Sequence, residues 1–248
     1  SIRVLHVDDE PGFAELTADF LKREDGRFTV ETARSASEGL EHLSHGDFDC
    51  IVSDYDMPGR NGIEFLESVR NKRPDLPFVL FTGKGSEEIA GEAISAGVTD
   101  YLRKKSGTDQ YAVLANRLRN AVQRHRAEKE RKRQRDAIET AQEGISILTA
   151  DGEYIYVNQA YADMYGYEPD EITGENWELT CPDGETAIAQ DVIMPTVAAD
   201  GYWSGETIGL RADGTTFVED HTVVQTDTGE LICSVRDQSV EEEQEAEL

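Results

Sequence analysis

Three short, mostly apolar runs and a fourth strand-like segment in this chain end in residues that could do chemistry together. Val4-Leu5-His6-Val7 ends at Asp8-Asp9, and Cys50-Ile51-Val52-Ser53 ends at Asp54. Phe78-Val79-Leu80-Phe81 ends at Thr82, and Asp100-Tyr101-Leu102-Arg103 ends at Lys104. If the runs are strands of one parallel α/β sheet, their ends share the edge where such sheets bind ligands. Asp8, Asp9 and Asp54 then meet in one pocket with a hydroxyl and an ammonium beside them. Carboxylates crowded in this way need a counter-charge. Mg2+ suits a site of few carboxylates, a backbone carbonyl and several waters. The same set suits phosphoryl transfer: the metal neutralises charge, Lys104 pairs with one oxygen and Thr82 donates to another. A carboxylate can also be the nucleophile and form an acyl phosphate, and the central Asp54 is the natural one. Singly, each residue has an ordinary explanation. Asp-Asp before Pro11 is a helix start, Met57-Pro58-Gly59 is a turn and Thr82-Gly83 is a strand end. The chemistry rests on their joint placement.

That placement needs strands and helices in alternation, and the pattern supplies them. Phe13, Leu16, Phe20 and Leu21 recur at helical spacing after Asp9. Phe28-Thr29-Val30 reads as an edge strand, and a short helix follows Ser35 or Ser37 as its cap. Ile63, Leu66 and Val69 mark a helix before Pro74. Ser86-Glu87-Glu88-Ile89 has a capping pattern. Alternating strands and helices predict a parallel sheet covered on both faces, in the flavodoxin-like doubly wound order.

From Thr108 a long helix is expected, with Tyr111, Leu114, Leu118, Ala121 and Val122 as its apolar face. The face then ends, and residues 125–135 are nearly all charged and mostly basic. A solvated linker helix with local Glu–Arg pairs fits this stretch. A dimeric coiled coil there would have a polar seam. The second half reads differently. Asp151-Gly152 is a hairpin turn between Ile145–Leu148 and Tyr154–Val157. Short helices follow from Asn158, then strands at Thr207–Arg211, Thr216–Thr226 and Leu231–Val235. This is an α+β unit with an antiparallel sheet.

Leu5-His6-Val7-Asp8-Asp9-Glu10-Pro11, Ser53-Asp54-Tyr55-Asp56-Met57-Pro58-Gly59, Phe81-Thr82-Gly83 and Asp100-Tyr101-Leu102-Arg103-Lys104 resemble the response-regulator receiver domain of two-component signalling. The resemblance implies that Asp54 accepts phosphate from a partner histidine kinase. It implies that Asp9 ligates Mg2+ directly, Asp8 mostly through water, and Asp54 and the Asp56 carbonyl complete the metal set. It also implies Thr82 and Tyr101 as a switch pair, with Asp56 and Lys84 facing the pocket mouth and tuning phosphoryl lifetime. Lys105 departs from the family, which usually has a proline there. Gly144-Ile145, Asp151-Gly152, Val157-Asn158-Gln159-Ala160, Gly166-Tyr167, Trp203-Ser204-Gly205-Glu206, Arg211-Ala212-Asp213-Gly214 and Val235-Arg236-Asp237 resemble a PAS sensor domain. That family takes haem, flavin, small metabolites or nothing, and no ligand is identified here. His221 on a strand reads as structural rather than as a haem ligand. The expected boundaries are a receiver at 1–122, a helical linker at 123–136, a PAS domain at 137–240 and an acidic tail at 241–248.

Charge bounds the partners. The 248 residues carry 51 Asp and Glu against 24 Lys and Arg, a net charge of −27. That argues against nucleic acid and anionic membrane as partners. Cys50, Cys181 and Cys233 fit no disulfide framework and no metal motif. No signal peptide or membrane-length apolar run stands out, so a cytoplasmic protein is expected. The expected working form is a homodimer through the receiver or through the linker and PAS unit. The sequence holds no kinase catalytic core, only receiver chemistry. The rival readings are the N-terminal portion of a hybrid histidine kinase, a transcription regulator that binds DNA through the basic helix, and a metal-dependent phosphatase using Asp56. Acidity with few lysines is the pattern of a halophile, in which molar salt screens self-repulsion. A potassium chloride titration followed by circular dichroism checks this. Folding should require high salt, and full stability in dilute buffer would contradict it.

Overall fold

The computed structural model describes residues 1–84 and 86–239, so the tail expected at 241–248 lies outside the described residues. The chain divides into two compact units, Ser1–Arg131 and Lys132–Leu248.

In the first unit the apolar runs form strands β1 (Ile2–Val7), β2 (Phe28–Ala33), β3 (Cys50–Ser53), β4 (Phe78–Thr82) and β5 (Asp100–Arg103). All pairings are parallel and the spatial order is β2-β1-β3-β4-β5. This is the doubly wound order with a switch point between β1 and β3. Helices α1 (Pro11–Glu24), α2 (Ala36–His45), α3 (Gly62–Arg70), α4 (Glu87–Ser95) and α5 (Asp109–Glu139) follow the strands in turn. The central strands β1, β3 and β4 are buried on both faces, and the period of two sorts their side chains. Leu5, Val7, Ile51, Phe78 and Leu80 pack with α2, α3 and α4, through residues such as Leu43, Phe65 and Ala93. Ile2, Val4, Cys50, Val52, Val79 and Phe81 pack with α1 and α5, through Leu21, Leu114, Leu118 and Val122.

The helix starts follow local chemistry. Pro11 occupies the first turn of α1, where a missing N–H costs nothing. Ser35 Oγ accepts from Glu38 N and caps α2, which settles the choice between Ser35 and Ser37. Asn61 and Glu64 form a reciprocal capping box on α3, and Ser86 caps α4. The linker is not a separate element. One uninterrupted helix, α5, passes from the apolar face at Tyr111–Val122 through the charged stretch to Glu139. No helix among the described residues is long and apolar enough to cross a membrane.

The second unit has strands β6 (Gly144–Leu148), β7 (Tyr154–Val157), β8 (Tyr202–Leu210), β9 (Thr216–Gln225) and β10 (Leu231–Asp237). They pair antiparallel in the order β7-β6-β10-β9-β8. Helices α6 (Gln159–Tyr165), α7 (Pro169–Ile172), α8 (Thr186–Ile188) and α9 (Met194–Asp200) lie between β7 and β8 in sequence, with a π turn at Ala189–Ile193. Strand β8 starts at Tyr202, five residues before the expected Thr207, because pairing with β9 continues to Tyr202↔Val224. The hairpin turn expected at Asp151-Gly152 has Gly152 at φ +84, and a Cβ there would meet Trp177 at 2.4 Å. Asn158 is fully buried and satisfied. Its Oδ1 accepts from Ile145 N and Tyr161 N, and its Nδ2 donates to the Ile138 and Glu143 carbonyls. One side chain thus caps α6 and ties the end of α5 to β6.

Gly62 fixes the approach of α3 to the end of β3. A Cβ there would stand 2.3 Å from the Asp54 carbonyl oxygen and 3.0 Å from Tyr55 Cα. Backbone would have to move. Gly62→Ala should therefore destabilise the first unit by about 2–3 kcal/mol. Gly91 lies inside α4, and a Cβ added there would meet nothing within 4 Å, so Gly91→Ala should stabilise by about 0.5–1 kcal/mol. Urea unfolding midpoints would measure both, and a neutral Gly62→Ala would contradict the packing argument.

Candidate functional site

The switch point brings the strand ends together. Asp8 continues β1, with its N–H donating to the Ala33 carbonyl, and Asp54 continues β3, with its N–H donating to the Val7 carbonyl. Lys104 continues β5, and its N–H donates to the Thr82 carbonyl at 2.8 Å. Parallel ladders thus carry straight into the site, and its residues sit on backbone that is already hydrogen-bonded.

The side chains of Asp8, Asp9 and Asp54 each offer an oxygen, and these atoms lie within 4.8 Å of one another. Lys104 Nζ bridges two of them, donating to Asp8 Oδ2 at 2.8 Å and to Asp54 Oδ2 at 2.6 Å. The other oxygens of this pair are held by backbone. Glu10 N donates to Asp8 Oδ1 at 3.0 Å, and Tyr55 N donates to Asp54 Oδ1 at 2.6 Å. Asp8 is 0 % exposed and Asp54 8 %, while Asp9 is more open and makes no salt bridge among the described residues. Burial pushes the Asp8 carboxyl up, and Lys104 opposes that rise. Burial alone would lower the Lys104 ammonium, but its hydrogen bonds to Asp54 and Asp8 outweigh this and hold it above the usual lysine value. The structure answers the crowding of three carboxylates with one ammonium, which leaves an excess of negative charge.

Thr82 is buried at the end of β4, and its Oγ1 accepts from Lys84 N at 3.2 Å. Tyr101 pairs in register with Leu80 on the neighbouring strand. Its ring packs against the α3 and α4 side of the core, and its buried hydroxyl has no hydrogen-bond partner. The side chain of Asp56 turns to Lys84 and forms an ion pair with it. Lys105 is held through its backbone, which donates to Gln110 Oε1 at 2.9 Å. Asp8, Asp9, Asp54 and Lys104 therefore meet directly. Thr82 adjoins them through the backbone of Lys104, and Tyr101 sits on β5 three residues before Lys104.

Two neighbours were not singled out from sequence. His6 is completely buried, its Nε2 stands 3.9 Å from Asp8 Oδ2, and burial pushes the imidazole down to about 4. Phe13, at the start of α1, places its ring 4.2 Å from Lys104 Nζ, a cation–π contact that steadies the ammonium. The alternation of β1 could have flagged His6 as inward. Nothing local marks Phe13 as more than a core residue.

The second unit has polar residues buried within its core. Glu219 on β9 is 3 % exposed, and accepts from Tyr165 Oη and from Thr207 Oγ1 at 2.8 Å. Tyr154, Tyr161 and Thr180 share a hydroxyl network at 2.7 Å contacts. His221 borders this interior with part of its ring still exposed, and burial pushes it down to about 4.

Comparison with known proteins agrees with this division. Residues 4–116 match the model of the response regulator receiver domain, and residues 132–196 match that of a PAS domain. A bacterioopsin transcriptional activator of Halobacterium salinarum is 27 % identical over 265 residues, covering 94 % of this chain and 39 % of that protein. The C4-dicarboxylate transport transcriptional regulatory protein DctD of Rhizobium meliloti is 34 % identical over 121 residues, covering 49 % of this chain and 26 % of its own length. The crystal structure of a response regulator receiver domain protein from Clostridium thermocellum is 26 % identical, covers 51 % of this chain and 98 % of its own, and has a TM-score of 0.47. The chain spans less than half the length of either curated relative.

Proposed function

We propose that this chain, which matches a response regulator receiver domain followed by a PAS domain, works in two-component phosphorelay signalling with Asp54 as its phosphoacceptor. The observation that carries the reading is the Lys104 bridge. One ammonium spans Asp8 Oδ2 and Asp54 Oδ2, so the carboxylate at the centre of the site already faces a cation that a phosphoryl oxygen can take over.

The donor is the phosphohistidine of a partner histidine kinase. An Asp54 carboxylate oxygen attacks phosphorus, the P–N bond to the histidine breaks, and a P–O bond forms to give the acyl phosphate. The imidazole leaves with the bonding electron pair and takes a proton. Lys104 moves from Asp54 Oδ2 to the incoming phosphoryl oxygen and keeps its hold on Asp8. Thr82 gives up its contact with Lys84 N and donates to a second phosphoryl oxygen, and Tyr101 follows Thr82 inward. The Tyr101 hydroxyl, buried without a partner, stands to gain a hydrogen bond from that movement.

The carboxylate excess around Asp9 fits a hard divalent cation. Asp8, Asp9, Asp54 and the Asp56 carbonyl would hold Mg2+, which when bound neutralises charge on the transferring group. The Asp56–Lys84 ion pair lies at exposed positions two residues beyond Asp54 and Thr82. It guards the approach to the acyl phosphate, and its opening gates water. We place the output in transcription, because both curated relatives are named as transcription regulators. DNA contact is not assigned to this chain, whose net charge of −27 opposes it.

Incubation with Mg2+ and acetyl phosphate, followed by intact mass measurement, tests the site. The expected result is a gain of one phosphoryl group that requires Mg2+ and is lost in Asp54→Asn. A phosphoryl group that persists in Asp54→Asn would remove Asp54 from its assigned role.

A further inference from the structure

The second unit encloses a cavity of about 80 Å³ between the inner face of its sheet and the helical segment 186–193. At roughly 10–15 Å³ per water-sized position, that is room for about five to eight non-hydrogen atoms. Its polar lining includes Ser146, Tyr154, Tyr161, Thr180, Glu219 and His221.

The hydrogen-bonding capacity of this lining is lopsided. Ser146 is 0 % exposed, and its hydroxyl has no hydrogen-bond partner. Cys233, opposite it in register on β10, offers only a weak sulfur group. His221 keeps 21 % of its side-chain surface, yet its Nε2 is enclosed and unpartnered. Proton counting fixes the tautomer. Thr207 spends its single proton on Glu219 Oε1 at 2.8 Å. In the 3.2 Å contact between Thr207 Oγ1 and His221 Nδ1, the imidazole is therefore the donor. Nε2 is left as a bare acceptor. The protons of Tyr154, Tyr161 and Thr180 are spent among themselves and on the Trp177 carbonyl. Apart from the Ser146 proton, which can go to the Cys233 sulfur, the leftover capacity is that of acceptors.

Charge leans the same way. Glu219 receives two hydroxyl donors but no cation, and its one basic neighbour within 4 Å among the described residues is His221. Arg211 is committed to Asp237 at 2.5 Å. Among the described residues no lysine or arginine lines the cavity, whereas Glu185 also borders it. The remaining walls are aromatic and aliphatic, with Tyr154, Tyr161, Tyr165 and Trp177 presenting rings. Aromatic faces and a buried carboxylate favour an organic cation. An ammonium brings three donors and no acceptor, which is what the leftover groups lack.

We propose that this cavity binds a small primary ammonium, its head group donating to His221 Nε2 and Ser146 Oγ beside the Glu219 carboxylate and its short apolar tail lying against the tyrosine rings and Leu148. The inference stands on the second unit alone and is independent of the phosphoryl chemistry at Asp54.

Isothermal titration of the full chain with n-butylammonium, butan-1-ol and butyrate tests it, since the three share nearly one shape and differ in charge. Tetrabutylammonium, too large to enter, controls for general attraction to an acidic protein. Butylammonium should bind one to one, at least about tenfold tighter than butan-1-ol, with no binding of butyrate or tetrabutylammonium. Glu219→Gln keeps the volume and one accepting oxygen, the other hydroxyl turning to accept from the amide, and should bring the ammonium-to-alcohol ratio to about one. Ser146→Ala, the milder change, should weaken butylammonium several-fold, which keeps the test decisive if Glu219→Gln loses its near-ultraviolet dichroism. Equal or tighter binding of the alcohol, binding of butyrate, equal binding of tetrabutylammonium, or absence of binding by all four would overturn the proposal. So would an unchanged ammonium preference in a folded Glu219→Gln.

Discussion

The first unit depends on one ammonium placed between two carboxylates. Two unit charges about 4 Å apart interact by about 4 kcal/mol at the effective dielectric of a protein surface. Asp8 and Asp54 at the ends of adjacent strands would repel on that scale, and burial would raise the cost. Lys104, arriving on β5 from two strands beyond β3, meets both at hydrogen-bond distance. Its reach is set by the order β2-β1-β3-β4-β5, its backbone by Thr82, and its ammonium by the Phe13 ring. Sequence-distant residues are thereby locked into one electrostatic unit. The same arrangement leaves Asp9 without a salt bridge among the described residues and the site with surplus negative charge. The structure is balanced enough to fold and unbalanced enough to attract a cation.

Much of this was legible in the sequence because parallel strands announce themselves. Phe78–Phe81 is apolar throughout and Val4–Val7 is broken only by His6, and each stops at a polar residue at the edge where ligands bind. The cap residues Ser35, Asn61 and Ser86 likewise carry their meaning locally. The parts that stayed hidden depend on side-chain direction across distance. The Asp56–Lys84 pair needs two loops to converge, and the Phe13 contact needs the start of α1 to meet the residue that follows β5. In the second unit, Thr207, Glu219 and His221 alternate with other residues on strands, where polar residues usually mark the wet face. Here they are the inner face, since Thr207 and Glu219 pair across β8 and β9 with the core residue Phe217 on the same side. Periodicity reports that two faces differ but does not say which polar face is enclosed.

Both units satisfy some buried polar groups fully and leave others open. Around Asp8 and Asp54 each carboxylate oxygen that Lys104 leaves free is taken by a backbone N–H. Asn158 in the second unit is equally complete, with all of its amide capacity used. The first unit leaves the His6 nitrogens, Thr17 Oγ1 and the Tyr101 hydroxyl without hydrogen-bond partners, and the second leaves Ser146 Oγ and His221 Nε2, which border a cavity. Buried polar atoms without partners cost about 1–3 kcal/mol each. A fold that satisfies Asn158 so fully yet leaves these two open beside a cavity has kept capacity for something that donates.

The central claim is that the Lys104-bridged carboxylate pair is a site poised to carry a phosphoryl group on Asp54. A crystal structure of the chain with Mg2+ and beryllium fluoride tests it most directly, because the fluoride complex mimics an acyl phosphate. The account predicts density bonded to an Asp54 carboxylate oxygen, with Lys104 Nζ shifted from Asp54 onto a fluorine and still in contact with Asp8. Beryllium fluoride bound at another residue, with the Lys104 bridge to Asp54 intact, would contradict it.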